Sequence, residues 1–168
     1  MNRRHAIRGF LALALIAAGY AVWRGREGDD ERAIGARIEA LRAEINTSST
    51  TDGLGAIAHA TQIGSYFTEN MIIELGEGTS PIHGRDTLIG IAARLQTRTA
   101  AFRLELDDVS VEMVPGGRAA DVLLTASFVR RVASTGEESR DAREFSLVCE
   151  KDAGTWRIAR VTAIDTLR

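Results

Sequence analysis

Few residues in this sequence have both the type and the spacing that acid/base chemistry needs. His59 and Tyr66 lie seven residues apart, which places them on one face of a helix, and Glu144 adds a carboxylate on a later predicted strand. Imidazole, phenol and carboxylate groups are common proton donors and acceptors in enzymes. Each also has an ordinary structural interpretation: a surface histidine, a core tyrosine and an ion-pairing glutamate. They are therefore weak catalytic candidates, and the sequence favours a protein without catalytic activity.

The sequence predicts neither a metal ion nor a cofactor. Cys149 is the only cysteine, and of the three histidines one, His5, lies close to the N-terminus. The remaining two histidines have no Cys, Asp or Glu at the spacing of a zinc site. The Gly76-Glu77-Gly78 segment is not followed by a helix start and a lysine, so it lacks the form of a phosphate loop. Cys149 fits best as a small buried residue of a strand.

The first 26 residues have the composition of a membrane-targeting segment. An uncharged apolar run from Phe10 to Trp23 is flanked by arginines on both sides. The larger basic cluster precedes the run, which predicts a single-pass anchor in the inner membrane with the rest of the chain on the periplasmic side. A cleaved signal peptide, which would release the domain as a secreted protein, and a twin-arginine export signal at Arg3-Arg4 are the alternatives. We expect residues 1–28 to be anchor and linker and residues 29–168 to be one domain.

The expected domain is acidic. All 23 acidic residues lie after position 26, whereas five of the 21 basic residues lie within residues 1–26. Nucleic-acid binding requires clustered positive charge on the folded domain. The sequence therefore excludes a nucleic-acid partner.

Downstream of the linker, hydrophobic periodicity predicts helices first and long strands afterwards. The predicted apolar helix faces consist of Ile34, Ile38, Leu41 and Ile45, then of Leu54, Ile57, Ala58, Thr61 and Tyr66, and finally of Leu88, Ile91, Ala92 and Leu95. Strands are predicted over 71–75, 81–83, 102–114, 119–132, 140–150 and 155–164, with a bulge at Asp107-Asp108 and a tight turn at Asp152-Ala153-Gly154. Only the helices can cover one face of such a sheet, which indicates an α+β fold: a cone in which a curved antiparallel sheet packs against three helices.

Three short segments mark the ends of these elements. They are Tyr66 to Glu74, where an aromatic helix end and a polar turn precede a strand; Pro81 to Asp86, where an extended segment and a glycine precede a helix; and Gly154 to Ile158, in the last hairpin. Together they resemble the nuclear-transport-factor-2-like (NTF2-like) superfamily, including its SnoaL-like and ketosteroid-isomerase-like branches. The resemblance covers roughly residues 30–167 and, with the N-terminal segment, implies a membrane-anchored bacterial-type member.

The residues that the isomerase branch uses for catalysis are not found at the matching positions. That branch places a carboxylate base just after the first strand, a tyrosine on the first helix and a protonated carboxylic acid on a later strand. The first position falls near Leu75, the last near Ser146, and the helix over 34–46 has no tyrosine. The isomerase activity is therefore not expected in this chain.

The resemblance implies three functional hypotheses. The first is a membrane-anchored, non-catalytic domain that binds a small apolar ligand or a partner protein in the periplasm. The second is a SnoaL-like enzyme (isomerase, cyclase or hydrolase) with an acid/base group in the cone. The third is a structural subunit of an envelope complex.

Two further expectations concern binding surfaces. We expect Tyr66, Phe102, Phe128 and Trp156 to converge between the helices and the sheet and to line a pocket for an apolar, uncharged ligand. We also expect a homodimer through the outer face of the sheet, because the alternate residues Leu123, Thr125, Ser127 and Val129 leave both faces of that strand partly apolar.

Overall fold

The computed structural model describes residues 28–47, 53–96, 102–131 and 138–164. Within these ranges the chain forms three helices and one six-stranded sheet. The predicted anchor at Phe10 to Trp23 lies outside the described residues. Among the helices of the described ranges, none combines the length and the apolar character needed to cross a membrane.

The first helix, α1, spans residues 28–46 and covers one face of the sheet. Ile34, Ile38 and Leu41 recur at helical spacing, and all three are buried in the core. These residues belong to the apolar stripe predicted from the sequence, and its fourth member, Ile45, packs partly buried against the same core.

The second helix, α2 (Gly53–Gly64), buries a different face from the predicted one. Its buried residues are Ala56, Ala60, Ile63 and Gly64. Leu54 and Ile57 of the predicted face are instead 84% and 53% exposed. The helix also ends before Tyr66, which lies beyond its last turn.

Close packing of two helices explains which face of α2 is buried. A Cβ atom added at Gly64 would lie 2.6 Å from Cγ1 of Ile89 on the third helix, α3 (Arg85–Gln96). Only a small residue permits this approach, so the small residues of α2 turn towards the rest of the domain. The larger Leu54 and Ile57 are left outside.

All six predicted strands are present, the first and the fifth are longer than predicted, and one pairing differs in direction. They are β1 (Phe67–Glu74), β2 (Ile82–His83), β3 (Phe102–Met113), β4 (Ala119–Arg131), β5 (Glu138–Asp152) and β6 (Thr155–Ile164). Their order in the sheet is β2-β1-β6-β5-β4-β3. The sheet is not purely antiparallel as predicted, because β1 and β6 pair in parallel. After β1 the chain crosses over through β2 and α3, and the last strand returns beside the first with the same direction.

Two predicted irregularities of the sheet are confirmed. The register of β3 against β4 shifts between Asp107 and Ser110, where Asp108 has a positive φ of 53°. The turn between β5 and β6 consists of Ala153 and Gly154, both with positive φ, which is the geometry of a two-residue hairpin of type I′.

The two faces of the sheet have different compositions. Val122, Leu124 and Ala126 of β4 point towards the helices and are buried. The outer face carries the intervening residues and several ion-pairing side chains, including Arg103, Glu105 and Arg140. We call the helix-covered side the inner face and the opposite side the outer face.

Candidate functional site

Helix α1 is attached to the rest of the domain by polar residues seven positions apart. The first is Asp30, whose Oδ1 accepts a hydrogen bond from Trp156 Nε1 at 3.0 Å and pairs with Lys151 Nζ at 2.6 Å. Trp156 is only 5% exposed. The start of α1 is therefore fixed to the β5–β6 hairpin, and this end of the inner face is closed.

The second attachment is Arg37. Its guanidinium lies 4.1 Å from the centre of the Tyr66 ring, and its Nη2 donates to the carbonyl oxygen of Ser65 at 2.9 Å. The backbone oxygen of Tyr66 accepts a hydrogen bond from the amide of Ile158. Tyr66 is consequently a buried residue held between α1 and the sheet, on the half of the sheet nearer Trp156.

The third attachment joins α1 to α2 through Glu44 and His59. The His59 Nε2 atom lies 2.8 Å from the backbone oxygen of Glu44 and 3.2 Å from its carboxylate oxygen Oε1. Both side chains are mostly shielded from solvent. His59 and Tyr66 therefore contact α1 at points two helical turns apart and have different partners.

Asn46, the last residue of α1, makes two hydrogen bonds to the edge strand of the sheet. Its Nδ2 donates to the carbonyl oxygen of Leu104 at 2.8 Å, and its Oδ1 accepts from the Leu104 amide at 2.7 Å. Since β3 is an edge strand, this side chain satisfies backbone groups that no neighbouring strand can reach. Asp30, Glu44 and Asn46 were not among the predicted site residues, although the seven-residue spacing of Asp30, Arg37 and Glu44 is visible in the sequence.

The four aromatic residues predicted to line a pocket do not all lie together. Trp156 pairs with Lys151 on β5, whereas Phe128 pairs with Asp141, ten residues earlier on the same strand. This separation corresponds to about 33 Å along the strand. Phe102 begins β3, and its backbone pairs with Arg130 near Phe128. The structure thus separates Tyr66 and Trp156 from Phe128 and the Phe102 backbone.

Phe128 marks an open end of the inner face. It follows the buried Val122, Leu124 and Ala126 in alternation and yet is 40% exposed. The partly buried Leu106 of β3 pairs with Ala126 and lies diagonal to Phe128. Asp141 and Arg143 share the same face on β5, with 3.8 Å between Arg143 Nε and Asp141 Oδ2. We call this set, Leu106, Phe128, Asp141 and Arg143, the open end. It combines an apolar floor with a charged rim.

Glu144 lies on the other side of the sheet. It precedes Phe145, which is buried on the inner face, so the pleat directs Glu144 to the outer face. Ser146, at the position that the isomerase branch uses for its acid, also lies on the outer face, paired with Thr162. Neither residue is placed to reach a ligand held under the helices.

Metal ligation finds no support in the described ranges, where no three His, Cys, Asp or Glu side chains converge on one point. Cys149 is buried, and its burial raises the pKa of the thiol to about 12. The negative charge of nearby Asp121 makes a smaller contribution to this rise in the pKa. A thiol that stays protonated is neither a nucleophile nor a metal ligand at neutral pH.

Comparison with known proteins relates this chain to a set of solved structures of similar fold. An NTF2-like protein with a cystatin-like fold from Novosphingobium aromaticivorans matches with a TM-score of 0.66 and 17% identity over 88% of this chain and 90% of that one. A protein of the NTF2-like family from Streptomyces avermitilis, provisionally assigned as a dehydratase, matches with a TM-score of 0.64 and 15% identity over 84% and 99% of the two chains.

A third structure, provisionally assigned as a scytalone dehydratase from Novosphingobium aromaticivorans, matches with a TM-score of 0.64 and 12% identity over 81% of this chain and 83% of that one. No protein-family model matches the sequence, and the comparison with curated proteins gives no match either. Identities this low show a shared fold.

Proposed function

We propose, on the premise that this chain has the NTF2-like fold, that it is a non-catalytic binding domain that holds a small apolar ligand at its open end. The observation that carries this proposal is the 40% exposure of Phe128 on a face where the preceding β4 residues Val122, Leu124 and Ala126 are buried. A partly exposed aromatic side chain at the end of a buried apolar face is typical of a binding site for apolar groups.

The partners of the three candidate acid/base groups support a non-catalytic role. His59 joins α2 to α1 through Glu44, the Tyr66 ring is covered by Arg37, and Glu144 lies on the outer face. A general acid or base must reach the proton that it transfers. His59 and Tyr66 instead contact structural partners, and Glu144 lies on the face of the sheet opposite the helices.

A matched pair of substitutions tests the binding site. We expect Phe128→Ala to weaken saturable binding of an apolar fluorescent probe about tenfold or more, because it removes the floor of the open end. Leu123→Ala should leave the affinity unchanged, since Leu123 is 53% exposed on the outer face of the same strand. The measurement is a fluorescence titration of both variants beside the wild-type chain.

The same variants separate a binding surface from ordinary core packing. Truncation of a fully buried phenylalanine destabilises a domain by about 3–5 kcal/mol, and a partly exposed one contributes less. We expect a loss of about 1–2 kcal/mol for Phe128→Ala in chemical denaturation. Absence of saturable probe binding to the wild-type chain would rule the proposal out.

A second candidate function is an acid/base enzyme, and the contact between His59 and Glu44 favours it. This pair, with 3.2 Å between Nε2 and Oε1, is a mostly shielded imidazole–carboxylate contact between α1 and α2, and two proteins of similar fold are provisionally assigned as dehydratases. Loss of water next to a carbonyl group needs such a base. The test is turnover of a panel of hydroxy-carbonyl compounds by the wild-type chain and by His59→Asn. Turnover that His59→Asn abolishes, with the fold retained, would establish the enzymatic function in place of the non-catalytic one.

We also propose that the domain is anchored to the inner membrane and faces the periplasm. The support is the apolar run from Phe10 to Trp23 with its basic flanks. The full chain is expected in the membrane fraction after alkaline carbonate washing. A chain that lacks residues 1–26 is expected in the soluble fraction, with the circular dichroism spectrum of a folded domain. Recovery of a shortened full-length product in the soluble fraction would instead indicate a cleaved signal peptide.

A further inference from the structure

Helix α2 presents a second apolar stripe to solvent. Leu54, Ile57, Ala58 and Thr61 recur at positions i, i+3, i+4 and i+7, and all four are exposed. We call this set the α2 outer stripe. It lies opposite the buried Ala56, Ala60 and Ile63, so α2 is apolar on two sides.

No charged side chain interrupts this surface. The α2 sequence, GLGAIAHATQIG, contains no Asp, Glu, Lys or Arg, whereas α1 and α3 carry both signs of charge. Surface helices normally keep charged or polar residues on the solvent side. An uncharged helix that exposes a leucine at 84% and an isoleucine at 53% indicates a surface that is covered by a partner.

We propose that the α2 outer stripe is a self-association surface, on which two copies of this chain pack their α2 helices antiparallel about a twofold axis. The axis would pass between Ile57 and Ala58. Each larger side chain would then face a smaller one: Leu54 faces Thr61 of the second copy, and Ile57 faces Ala58 of the second copy. The stripe is thus complementary to itself in size, as a twofold interface requires.

Charge selects a second copy over a lipid surface. The acidic residues all lie in the part of the chain after position 26, which makes the domain a poor ligand for an anionic bilayer. The α2 outer stripe has no flanking lysine or arginine within the helix to attract phosphate headgroups. Between two copies of an acidic domain, an uncharged surface is the one where contact meets the least electrostatic repulsion.

The outer face of the sheet is a weaker candidate for the same contact. Ser127 and Val129, which belong to the dimer interface expected from the sequence, are already buried within one chain. Ion pairs beside them link Glu105 to Arg103 and to Arg140. Leu123 is exposed on that face, and its direct cross-strand partners are Ser110 and Ser146. Glu112 and Glu144 lie at diagonal positions on the neighbouring strands, and their desolvation would oppose association.

The contact is small, which determines how it should be measured. A helix of 12 residues is about 18 Å long, and a surface of that length is below the roughly 800 Å² per partner of a standard stable interface. Association is therefore expected to be weak in dilute solution and stronger when chains are concentrated. Covalent trapping is better suited to such a contact than sedimentation.

Disulfide trapping in the full chain, reconstituted in detergent micelles, tests the proposal. The native Cys149 is buried and contributes little background. We expect Ala58→Cys to form covalent dimers under mild oxidation, and a mixture of Leu54→Cys and Thr61→Cys chains to form dimers that contain one of each. Leu54→Cys alone should form few dimers, because its two copies would lie about 10 Å apart along the axis.

The controls distinguish the other occupants of the stripe. Leu123→Cys reports on contacts through the outer face of the sheet. Addition of Leu54→Lys to the Ala58→Cys chain should reduce the yield of covalent dimers several-fold. The melting temperature should not fall, because Leu54 is 84% exposed. Trapping at position 123 without trapping at position 58 would overturn the proposal in favour of the sheet. Efficient Leu54→Cys dimers would overturn the antiparallel arrangement. Lipid-dependent quenching of a probe at position 58, with no trapping, would assign the stripe to the bilayer.

Discussion

Replacement of Trp156 by alanine should destabilise the domain by about 3–5 kcal/mol, the range for loss of a large buried aromatic side chain. Trp156 is 5% exposed, belongs to the main hydrophobic cluster and lies under the Lys151 ammonium, with 5.4 Å from Nζ to the ring centre. The substitution also removes the indole donor to Asp30, so α1 loses an attachment to the last hairpin. Chemical denaturation of wild type and variant, followed by circular dichroism, measures the difference.

Two milder substitutions separate packing from hydrogen bonding at this position. Trp156→Phe keeps most of the apolar area and removes the donor, so a loss of about 1–2 kcal/mol is expected. Asp30→Asn keeps an acceptor for the indole and removes the charge next to Lys151, whose side chain is partly exposed, so a loss below about 1 kcal/mol is expected. Equal losses for all three variants would contradict the assignment of most of the stabilisation to the buried ring.

The Cys149 thiol should react about 1000-fold more slowly in the folded chain than in the unfolded chain at pH 8. Burial raises its pKa from 9.0 to about 12, and only the thiolate is alkylated. At pH 8 roughly one thiol in ten is ionised when the pKa is near 9, and roughly one in 10,000 when it is near 12. Alkylation with iodoacetamide, with and without denaturant, gives the two rates.

The same raised pKa predicts a loss of stability at alkaline pH. The unfolded thiol releases its proton from about pH 9, whereas the folded thiol retains it until about pH 12. The unfolded state therefore binds fewer protons in this interval, and the free energy of unfolding falls as the pH rises from 9 to 12. Cys149→Ala should reduce this pH dependence; an unchanged slope in that variant would assign it to other groups.

The strands and their turns could be predicted from the sequence because their signals are local. Strand β6 has the predicted bounds, Thr155 to Ile164, and the Ala153-Gly154 turn and the Asp107-Asp108 bulge occur where turn chemistry placed them. Strand β1 begins four residues earlier than predicted, since the polar residues between Phe67 and Met71 hide its alternation. The parallel pairing of β1 with β6 depends on the path of the whole chain and has no local signal.

The buried face of α2 could not be predicted for a different reason. Two sets of residues in α2 satisfy helical periodicity: Leu54, Ile57, Ala58 and Thr61, and Ala56, Ala60 and Ile63. The first set contains the larger apolar residues, which favours it as the buried face. Packing against α3 determines which set is buried, because Ile89 of α3 lies too close to Gly64 to leave room for a side chain there. The predicted grouping of four aromatics failed to anticipate the length of β5, which separates Phe128 from Trp156.

The attachment of α1 to the last hairpin determines when the domain can be completed during synthesis. Asp30 contacts Trp156 across 126 residues of sequence, and β1 takes its place in the sheet by pairing with β6, the last strand to be made. The first helix cannot make its contact with the last hairpin, and the first strand cannot pair with β6, until nearly the entire chain has left the ribosome. Such late closure keeps the chain open during translation, which is the state that a translocation channel for unfolded polypeptides accepts.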